Sequence, residues 1–223
     1  MKVKGLLFDL DGVIVDTAKY HYIAWKSLAS SLGIEFTEKD NELLKGVSRM
    51  RSLEIILEIG GVTMDDEEKE RCCTEKNELY LSYINKMQED EILPGVKEFL
   101  RDARERGYKI ALGSASKNSR LILERLKLEN YFDAIIDGTV VSKAKPDPEV
   151  FLKGAEALGL EAESCIVFED AVAGIEAAHR AGMKAVGIGA AELLPEADIN
   201  IRGVGYAYIT DLLEELSEAE GVA

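Results

Sequence analysis

The chain has 223 residues, of which 47% are hydrophobic, and a formal net charge of −15 at pH 7. This length and composition are typical of a globular protein that buries a sizeable apolar core. The acidic charge argues against binding to nucleic acid or to an anionic membrane, because both partners require a basic surface. The chain contains only two histidines and three cysteines, and their spacing indicates neither a zinc site nor a disulfide framework.

The first strand is predicted from the apolar run Val3 to Phe8. This run is too short for the core of a signal peptide or for a membrane span. We therefore expect a cytoplasmic protein.

Two acidic residues, Asp9 and Asp11, come directly after this strand, and Gly12 supplies a turn. If the chain is still extended there, both side chains point to the same face. Like charges this close require a cation or a shared proton. An Asp-x-Asp-Gly segment is also common as a simple turn, so the interpretation depends on later segments.

The chain divides into two regions by pattern. Residues 16 to 92 contain only helical patterns, whereas strands and helices alternate from residue 93 onward. Such alternation is typical of βαβ units, which build a parallel sheet with helices on both faces. We therefore predict an α/β fold, a doubly wound, Rossmann-like parallel sheet formed by residues 1–15 and 93–223. Residues 16–92 form an inserted, all-helical cap domain.

The individual elements follow from apolar periodicity and capping residues. In the cap, Thr37 and Asp40 predict a capping box, and Thr63 with Asp66 predicts the start of a long helix reaching about Met87. The predicted strands span residues 3–8, 109–112, 134–136, 165–168, 184–188 and 206–209.

Polar residues collect where the core strands end. Ser114 follows the second strand, Lys145 comes after the third, and the pair Glu169 and Asp170 follows the fourth. Ligands of an open parallel sheet bind beyond the carboxyl ends of its strands. Carboxylates without His or Cys suit a hard cation, so we predict one Mg²⁺ bound by Asp9, Asp11, Glu169 and Asp170.

This arrangement predicts phosphoryl transfer. Asp9 is the expected nucleophile, and Asp11 the general acid and base. Ser114 and Lys145 are expected to hold the phosphate oxygens on which charge spreads in the transition state. Each residue also has a structural interpretation: Ser114 as a helix N-cap, Lys145 as a solvated loop residue, and Glu169-Asp170 as a helix-capping pair.

With these residues assembled, the chain resembles the haloacid-dehalogenase-like superfamily of phosphotransferases over nearly its whole length. Within it, three more specific segments are similar to the β-phosphoglucomutases: Asp16 to His21 with Trp25, Leu44 to Arg49, and Ser114 to Asn118. The resemblance implies interconversion of β-D-glucose 1-phosphate and D-glucose 6-phosphate. The implied route passes through a phosphorylated Asp9 and β-glucose 1,6-bisphosphate, with Mg²⁺.

The resemblance also implies a second phosphate site. Arg49, Lys117 and Asn118 would grip the phosphate that is not transferred, and arginine suits phosphate through its planar fork. The other implied substrate-binding residues are Thr17, His21, Trp25, Lys45, Gly46, Val47, Ser48, Ser52, Lys76, Ala115 and Ser116. For His21 and Trp25, packing within the cap is the competing interpretation. Ala171 departs from the pattern, since related sequences often have Ser there.

The resemblance and the charge together define the expected partners. We expect a small phosphorylated sugar as substrate, a monomer, and no nucleic-acid or membrane partner. Hinges near Asp16-Thr17 and residues 88–93 are expected to let the cap close over substrate.

Two alternative functions remain open. A phosphatase of the same superfamily, acting on a small sugar phosphate or phosphoglycolate, needs the same four motifs but no second anion site. A non-catalytic phosphosugar-binding protein needs no nucleophile beside an acid/base residue.

Overall fold

A computed structural model describes residues 2–44 and 47–221 of the chain. The chain divides into two compact units. The core unit joins the residues up to Asp16 to those from Gln88 onward, and the cap unit is Thr17–Met87. The sequence predicts boundaries after residues 15 and 92. The first lies one residue before the division of the units after Asp16, and the second lies five residues beyond the division after Met87.

The core unit is built on a parallel sheet. Within the described residues its six strands have the order β3-β2-β1-β4-β5-β6, and every neighbouring pair is parallel. The strands are β1 (Gly5–Phe8), β2 (Lys109–Gly113), β3 (Ala134–Ile136), β4 (Cys165–Glu169), β5 (Lys184–Ile188) and β6 (Ile199–Ile201). The doubly wound α/β fold predicted from the sequence is confirmed.

Successive residues of the central strands face opposite layers of helices, as the period of two in a strand requires. Leu7 belongs to a buried cluster with Phe151, whereas the next residue, Phe8, stacks on Phe168 at 4.5 Å and meets the edge of Phe99 at 6.1 Å. The core helices are α5 (Val96–Glu105), α6 (Ser119–Arg125), α7 (Glu149–Leu158), α8 (Val172–Arg180) and α9 (Ile209–Gly221).

The last strand differs from its prediction. The apolar residues at 206–209 do not form a strand: Val204–Tyr206 is a 3₁₀ turn, and α9 begins at Ile209. The edge strand β6 lies earlier, at Ile199–Ile201. Asn200 interrupts the apolar run of this strand, and Tyr208 is 75% exposed, so its ring gives a misleading apolar signal.

The described residues of the cap unit form helices joined by turns and short loops, with no strand among them. Thr37 and Asp40 form the predicted capping box. The long helix begins later than predicted, because Asp65 rather than Thr63 caps it and accepts a hydrogen bond from the Glu68 amide at 2.8 Å. The cap helices are α1 (Ala18–Ser31), α2 (Glu38–Asn41), α3 (Arg49–Gly60) and α4 (Asp66–Ile84), with a 3₁₀ turn at Glu42–Leu44.

The two long helices α1 and α4 pack against each other, and α3 packs on α4. Leu53, Ile56 and Trp25 are buried between the cap helices. None of the helices among the described residues combines the length and apolarity that a membrane crossing requires.

Candidate active site

Lys145 joins two carboxylates at the carboxyl edge of the core sheet. Its Nζ atom lies 2.5 Å from Oδ1 of Asp9 and 2.8 Å from Oε2 of Glu169, and the lysine side chain is only 9% exposed. The ammonium group also lies over the ring of Phe151, whose centroid is 4.8 Å from Nζ. The interpretation of Lys145 as a solvated loop residue is therefore wrong.

The charges in this cluster depend on one another. Burial raises the pKa of Glu169, and the nearby Asp9 and Asp170 act in the same direction, against the Lys145 ammonium. Burial would lower the pKa of Lys145, but the charges of Asp9 and Glu169 outweigh it and raise that pKa. A buried lysine thus remains a cation because two acids surround it.

Three carboxylates of the core can share one ion. Oxygen atoms of Asp9, Glu169 and Asp170 all lie within 4.8 Å of one another. Their donor set contains oxygen only, which suits a hard divalent cation such as Mg²⁺. Asp11, the predicted fourth ligand, is not in this group of the described residues, so its role at the metal stays a prediction.

Two glycines give the acidic residues their space. A Cβ atom at Gly12 would overlap the carboxylate of Asp170, and a Cβ at Gly174 would overlap that of Glu169. Glu169 also accepts a hydrogen bond from the Ala171 amide at 3.2 Å. The backbone at position 171 thus supports Glu169, whatever the side chain there. Gly174 was not predicted from the sequence, and its spacing from Glu169 is the signal that could have identified it.

Ser114 follows β2 at the same edge of the sheet. The parallel pairing of β2 with β1 places Leu112 beside Phe8. Ser114 lies two residues beyond this pair on one chain segment, and Asp9 lies one residue beyond it on the other. Ser114 is 2% exposed, and its hydroxyl accepts a hydrogen bond from the Ser116 amide at 3.1 Å. It is not a helix cap, because α6 begins only at Ser119.

The loop after Ser114 carries the predicted phosphate-binding residues. Ser116 accepts a hydrogen bond from the Asn118 amide at 3.2 Å through its hydroxyl, and its carbonyl oxygen accepts one from the Ser119 hydroxyl at 2.8 Å. These turns fix the backbone of the loop. Ala115 and Lys117 are exposed.

Within the cap unit, three predicted substrate residues lie close together. Nζ of Lys76 is 2.8 Å from Nδ1 of His21 and 4.6 Å from the ring centroid of Trp25. Because an ammonium group can only donate, Nδ1 of His21 accepts this bond. Burial, followed by the charges of Lys76 and Arg49, lowers the pKa of His21 from 6.5 to about 3. His21 is therefore a neutral imidazole beside a buried cation.

Tyr80 links these residues and was not predicted from the sequence. Its hydroxyl donates to Oγ1 of Thr17 at 3.3 Å, and its ring stacks on His21 with centroids 4.1 Å apart. Nζ of Lys76 lies 4.9 Å from the ring centroid of Tyr80. The spacing of Lys76 and Tyr80, four residues apart on α4, is the signal that could have identified it.

The remaining cap residues surround the start of α3. Ser48 caps this helix by accepting a hydrogen bond from the Arg51 amide at 3.2 Å, and Arg49 is its exposed first residue. Val47 is 38% exposed, whereas Ser52 is buried. Lys45 and Gly46, also predicted as substrate residues, lie outside the described residues.

Comparison with known proteins identifies the family. Residues 3–182 match the haloacid dehalogenase-like hydrolases. The chain belongs to this family. Among curated members, β-phosphoglucomutase of Bacillus subtilis (strain 168) is 43% identical over 202 residues, which are 90% of this chain and 89% of that protein.

One further relative agrees in fold, and another has a different named activity. The crystal structure of β-phosphoglucomutase from Clostridium difficile has a TM-score of 0.91 and 42% identity, covering 97% of this chain and 98% of that chain. The fructose-1-phosphate phosphatase of Escherichia coli (strain K12) is 34% identical over 82% of this chain and 95% of its own length.

Proposed function

We propose that this chain is a β-phosphoglucomutase, which interconverts β-D-glucose 1-phosphate and D-glucose 6-phosphate. The observation that carries this proposal is the 43% identity to the Bacillus enzyme over 90% of the chain, because an alignment of that extent includes the cap as well as the core. The acidic cluster around Lys145 supplies the chemistry that such an enzyme needs.

Asp9 is the nucleophile in this proposal. One of its oxygens forms a bond to the phosphorus of the bisphosphate, while the bond between phosphorus and the sugar oxygen breaks. Asp11 donates a proton to that leaving oxygen and later removes one from the accepting hydroxyl. Lys145 and Ser114 stabilise the charge on the transferring group.

The cation site fits Mg²⁺. Asp9, Glu169 and Asp170 would hold the ion, since their carboxylate oxygens lie within 4.8 Å of one another. Asp11 is the further predicted ligand. A bound Mg²⁺ reduces the repulsion between an attacking carboxylate and an anionic phosphate. One ion per active site is sufficient for this role.

A mutase must bind a bisphosphate in two orientations, so it needs a second anion site. We assign this site to Arg49, Lys117 and Asn118. Support comes from the exposure of Arg49 and Lys117, which leaves both cations accessible to a ligand. Further contacts with the sugar phosphate are proposed for Thr17, His21, Trp25, Lys45, Gly46, Val47, Ser48, Ser52, Lys76, Ala115 and Ser116.

Phosphorus NMR tests the proposal directly. The protein is incubated with β-glucose 1-phosphate, Mg²⁺ and a catalytic amount of β-glucose 1,6-bisphosphate. We expect glucose 6-phosphate to appear without a stoichiometric amount of inorganic phosphate. Release of inorganic phosphate in place of glucose 6-phosphate would contradict the mutase assignment.

The alternative is a phosphatase acting on a small sugar phosphate. It is favoured by the 34% identity to a fructose-1-phosphate phosphatase. Hydrolysis of a sugar phosphate by this chain would use the same proposed nucleophile and cation site. The same NMR experiment with fructose 1-phosphate separates the two functions, because only a phosphatase would release inorganic phosphate from it at each turnover.

A further inference from the structure

The loop that carries Lys145 is held by a carboxylate outside the acidic cluster. Glu149, the first residue of α7, accepts three hydrogen bonds at Oε2. They come from the Ser142 amide at 2.9 Å, the Ser142 hydroxyl at 2.8 Å and the Lys143 amide at 2.8 Å. Hydrogen bonds to an ionised group are stronger than neutral ones. The loop is thereby attached to α7 just before Lys145.

Further contacts close the loop around this attachment. Oε1 of Glu149 lies 2.7 Å from Nζ of Lys153, one turn along α7, and the same Nζ donates to the carbonyl oxygen of Val140 at 2.5 Å. The Glu149 amide donates to Oδ1 of Asp147 at 3.0 Å. Residues on both sides of Lys145 are thus bonded to the first turn of α7.

The same contacts keep the carboxylate charged. The hydrogen bond from Lys153, followed by the one from Ser142, lowers the pKa of Glu149 to about 2. A carboxylate in the first turn of a helix is favourable in any protein, because it interacts with the helix dipole. That effect does not require three bonds into a neighbouring loop, so it does not explain this geometry.

We propose that Glu149 is a positioning residue for Lys145 and, through Lys145, for the nucleophile Asp9. A lysine has a long, flexible side chain, so the place of its ammonium group depends on a fixed backbone. Without Glu149, residues 142–143 lose their attachment to α7, and the contacts of Lys145 with Asp9 and Glu169 become less well defined. This inference rests on the proposed role of Asp9 as the nucleophile.

Acetyl phosphate with Mg²⁺ is a suitable probe, because it requires no sugar-binding residue. An Asp9 oxygen bonds to phosphorus as the bond to acetate breaks, and acetate leaves with the electron pair. Water then attacks the phosphorus of phospho-Asp9, releasing inorganic phosphate and a proton. We expect Glu149→Ala to slow acetate release about tenfold, less than the roughly 100-fold loss that a misplacement of about 1 Å can cause.

A double-mutant cycle shows whether Glu149 acts through Lys145. If it does, Glu149→Ala should slow the parent protein about tenfold but cause no further loss in a Lys145→Ala background, because coupled residues are not additive. The same loss in both backgrounds would overturn the proposal. Glu156→Ala, an exposed glutamate on the same helix, is the matched control and should leave the rate unchanged.

A second measurement does not depend on activity. Acetylation of lysines by an N-hydroxysuccinimide ester is followed by mass spectrometry under conditions where the thermal transition of each variant is well above the assay temperature. Lys145 should be labelled faster in Glu149→Ala than in the parent, relative to the exposed Lys4 in the same sample. Equal labelling would overturn the proposal. Ser142→Ala removes one of the three bonds and should give a smaller increase in the labelling of Lys145. This variant provides the test if Glu149→Ala does not fold.

The outcomes also separate this inference from the proposed function. A parent protein that turns over acetyl phosphate but not β-glucose 1-phosphate would contradict the mutase assignment and leave the test of Glu149 intact. A parent that uses neither compound would contradict the role of Asp9, and the labelling experiment would still show whether Glu149 positions Lys145.

Discussion

Gly12 packs directly against the carboxylate of Asp170. A Cβ atom at position 12 would overlap Oδ2 and Cγ of Asp170, and the backbone of Gly12 has a φ of +77°. Both the space and the left-handed conformation therefore require glycine. The parallel pairing of β1 with β4 brings Asp9 and Asp170 to the same edge of the sheet, and this contact fixes the turn after β1 against the acidic residues at the end of β4.

Gly12→Ala should weaken Mg²⁺ binding. The new methyl group must displace the Asp170 carboxylate, and changes beside metal ligands typically cost about 10- to 100-fold in affinity. Gly107→Ala is the matched control, because Gly107 has a φ of +84° and no other atom within 4 Å of a built Cβ. It should lose only about 1–2 kcal/mol of stability from backbone strain. Isothermal titration with Mg²⁺ measures the difference, and equal affinity in the two variants would contradict the role of Gly12.

The sequence predicts the fold well where elements are long or bounded by clear signals. The strand at Lys184–Ile188 agrees with its prediction residue for residue, because a buried parallel strand is an unbroken apolar run. The prediction fails for β6, in which Asn200 interrupts the apolar run. It also misplaces the start of α4, where Thr63 and Asp65 both satisfy the capping rule and only the folded backbone decides.

The candidate site is predictable in its residue types but not in its internal contacts. That Asp9 and Lys145 meet follows from parallel topology, since both come after strands of one sheet. The roles of Gly174, Tyr80 and Glu149 were not predicted. Spacing could have marked Gly174 and Tyr80 as candidates, but only packing decides which atoms become their neighbours. Glycine in a helix, tyrosine in a helix and glutamate at a helix start are all ordinary features of a sequence.

Asp9→Asn should abolish turnover, since an amide is not a nucleophile toward phosphorus. Asp170→Asn is the informative comparison, because it removes a predicted metal ligand and keeps the nucleophile. Higher Mg²⁺ concentrations should restore part of the activity of Asp170→Asn and none of that of Asp9→Asn. Initial rates measured across a Mg²⁺ titration give the answer. Turnover of Asp9→Asn at the parent rate would contradict the role of Asp9 as the nucleophile.

Arg49→Ala should reduce mutase turnover by about 10- to 100-fold, because losing a charge-assisted bond to phosphate costs about 1.5–3 kcal/mol. Slow hydrolysis of phospho-Asp9 by water should continue, since it needs no second phosphate site. Arg51→Ala provides the control on the same helix: its guanidinium pairs with Glu54 and Glu58 at the surface, and exposed pairs contribute little. Equal mutase rates for Arg49→Ala and Arg51→Ala would refute the role of Arg49.

His21 should remain neutral far below the pH at which a free histidine is protonated. Burial lowers its pKa from 6.5 to about 3, with the charges of Lys76 and Arg49 acting in the same direction. The chain has two histidines, so the imidazole signal that disappears in His21→Asn assigns His21 in an NMR titration. That signal should show no protonation shift down to about pH 4.

The lowered pKa of His21 also predicts how stability changes with pH. Above pH 6.5 the imidazole is neutral in both the folded and the unfolded chain, so it contributes no pH dependence. Between pH 6.5 and about 3 the unfolded chain binds a proton that the folded chain does not, and the free energy of unfolding must therefore fall as the pH falls. Urea unfolding at a series of pH values should show the parent losing more stability than His21→Asn across this window. Parallel curves for the two proteins would mean that the His21 pKa is not lowered by folding.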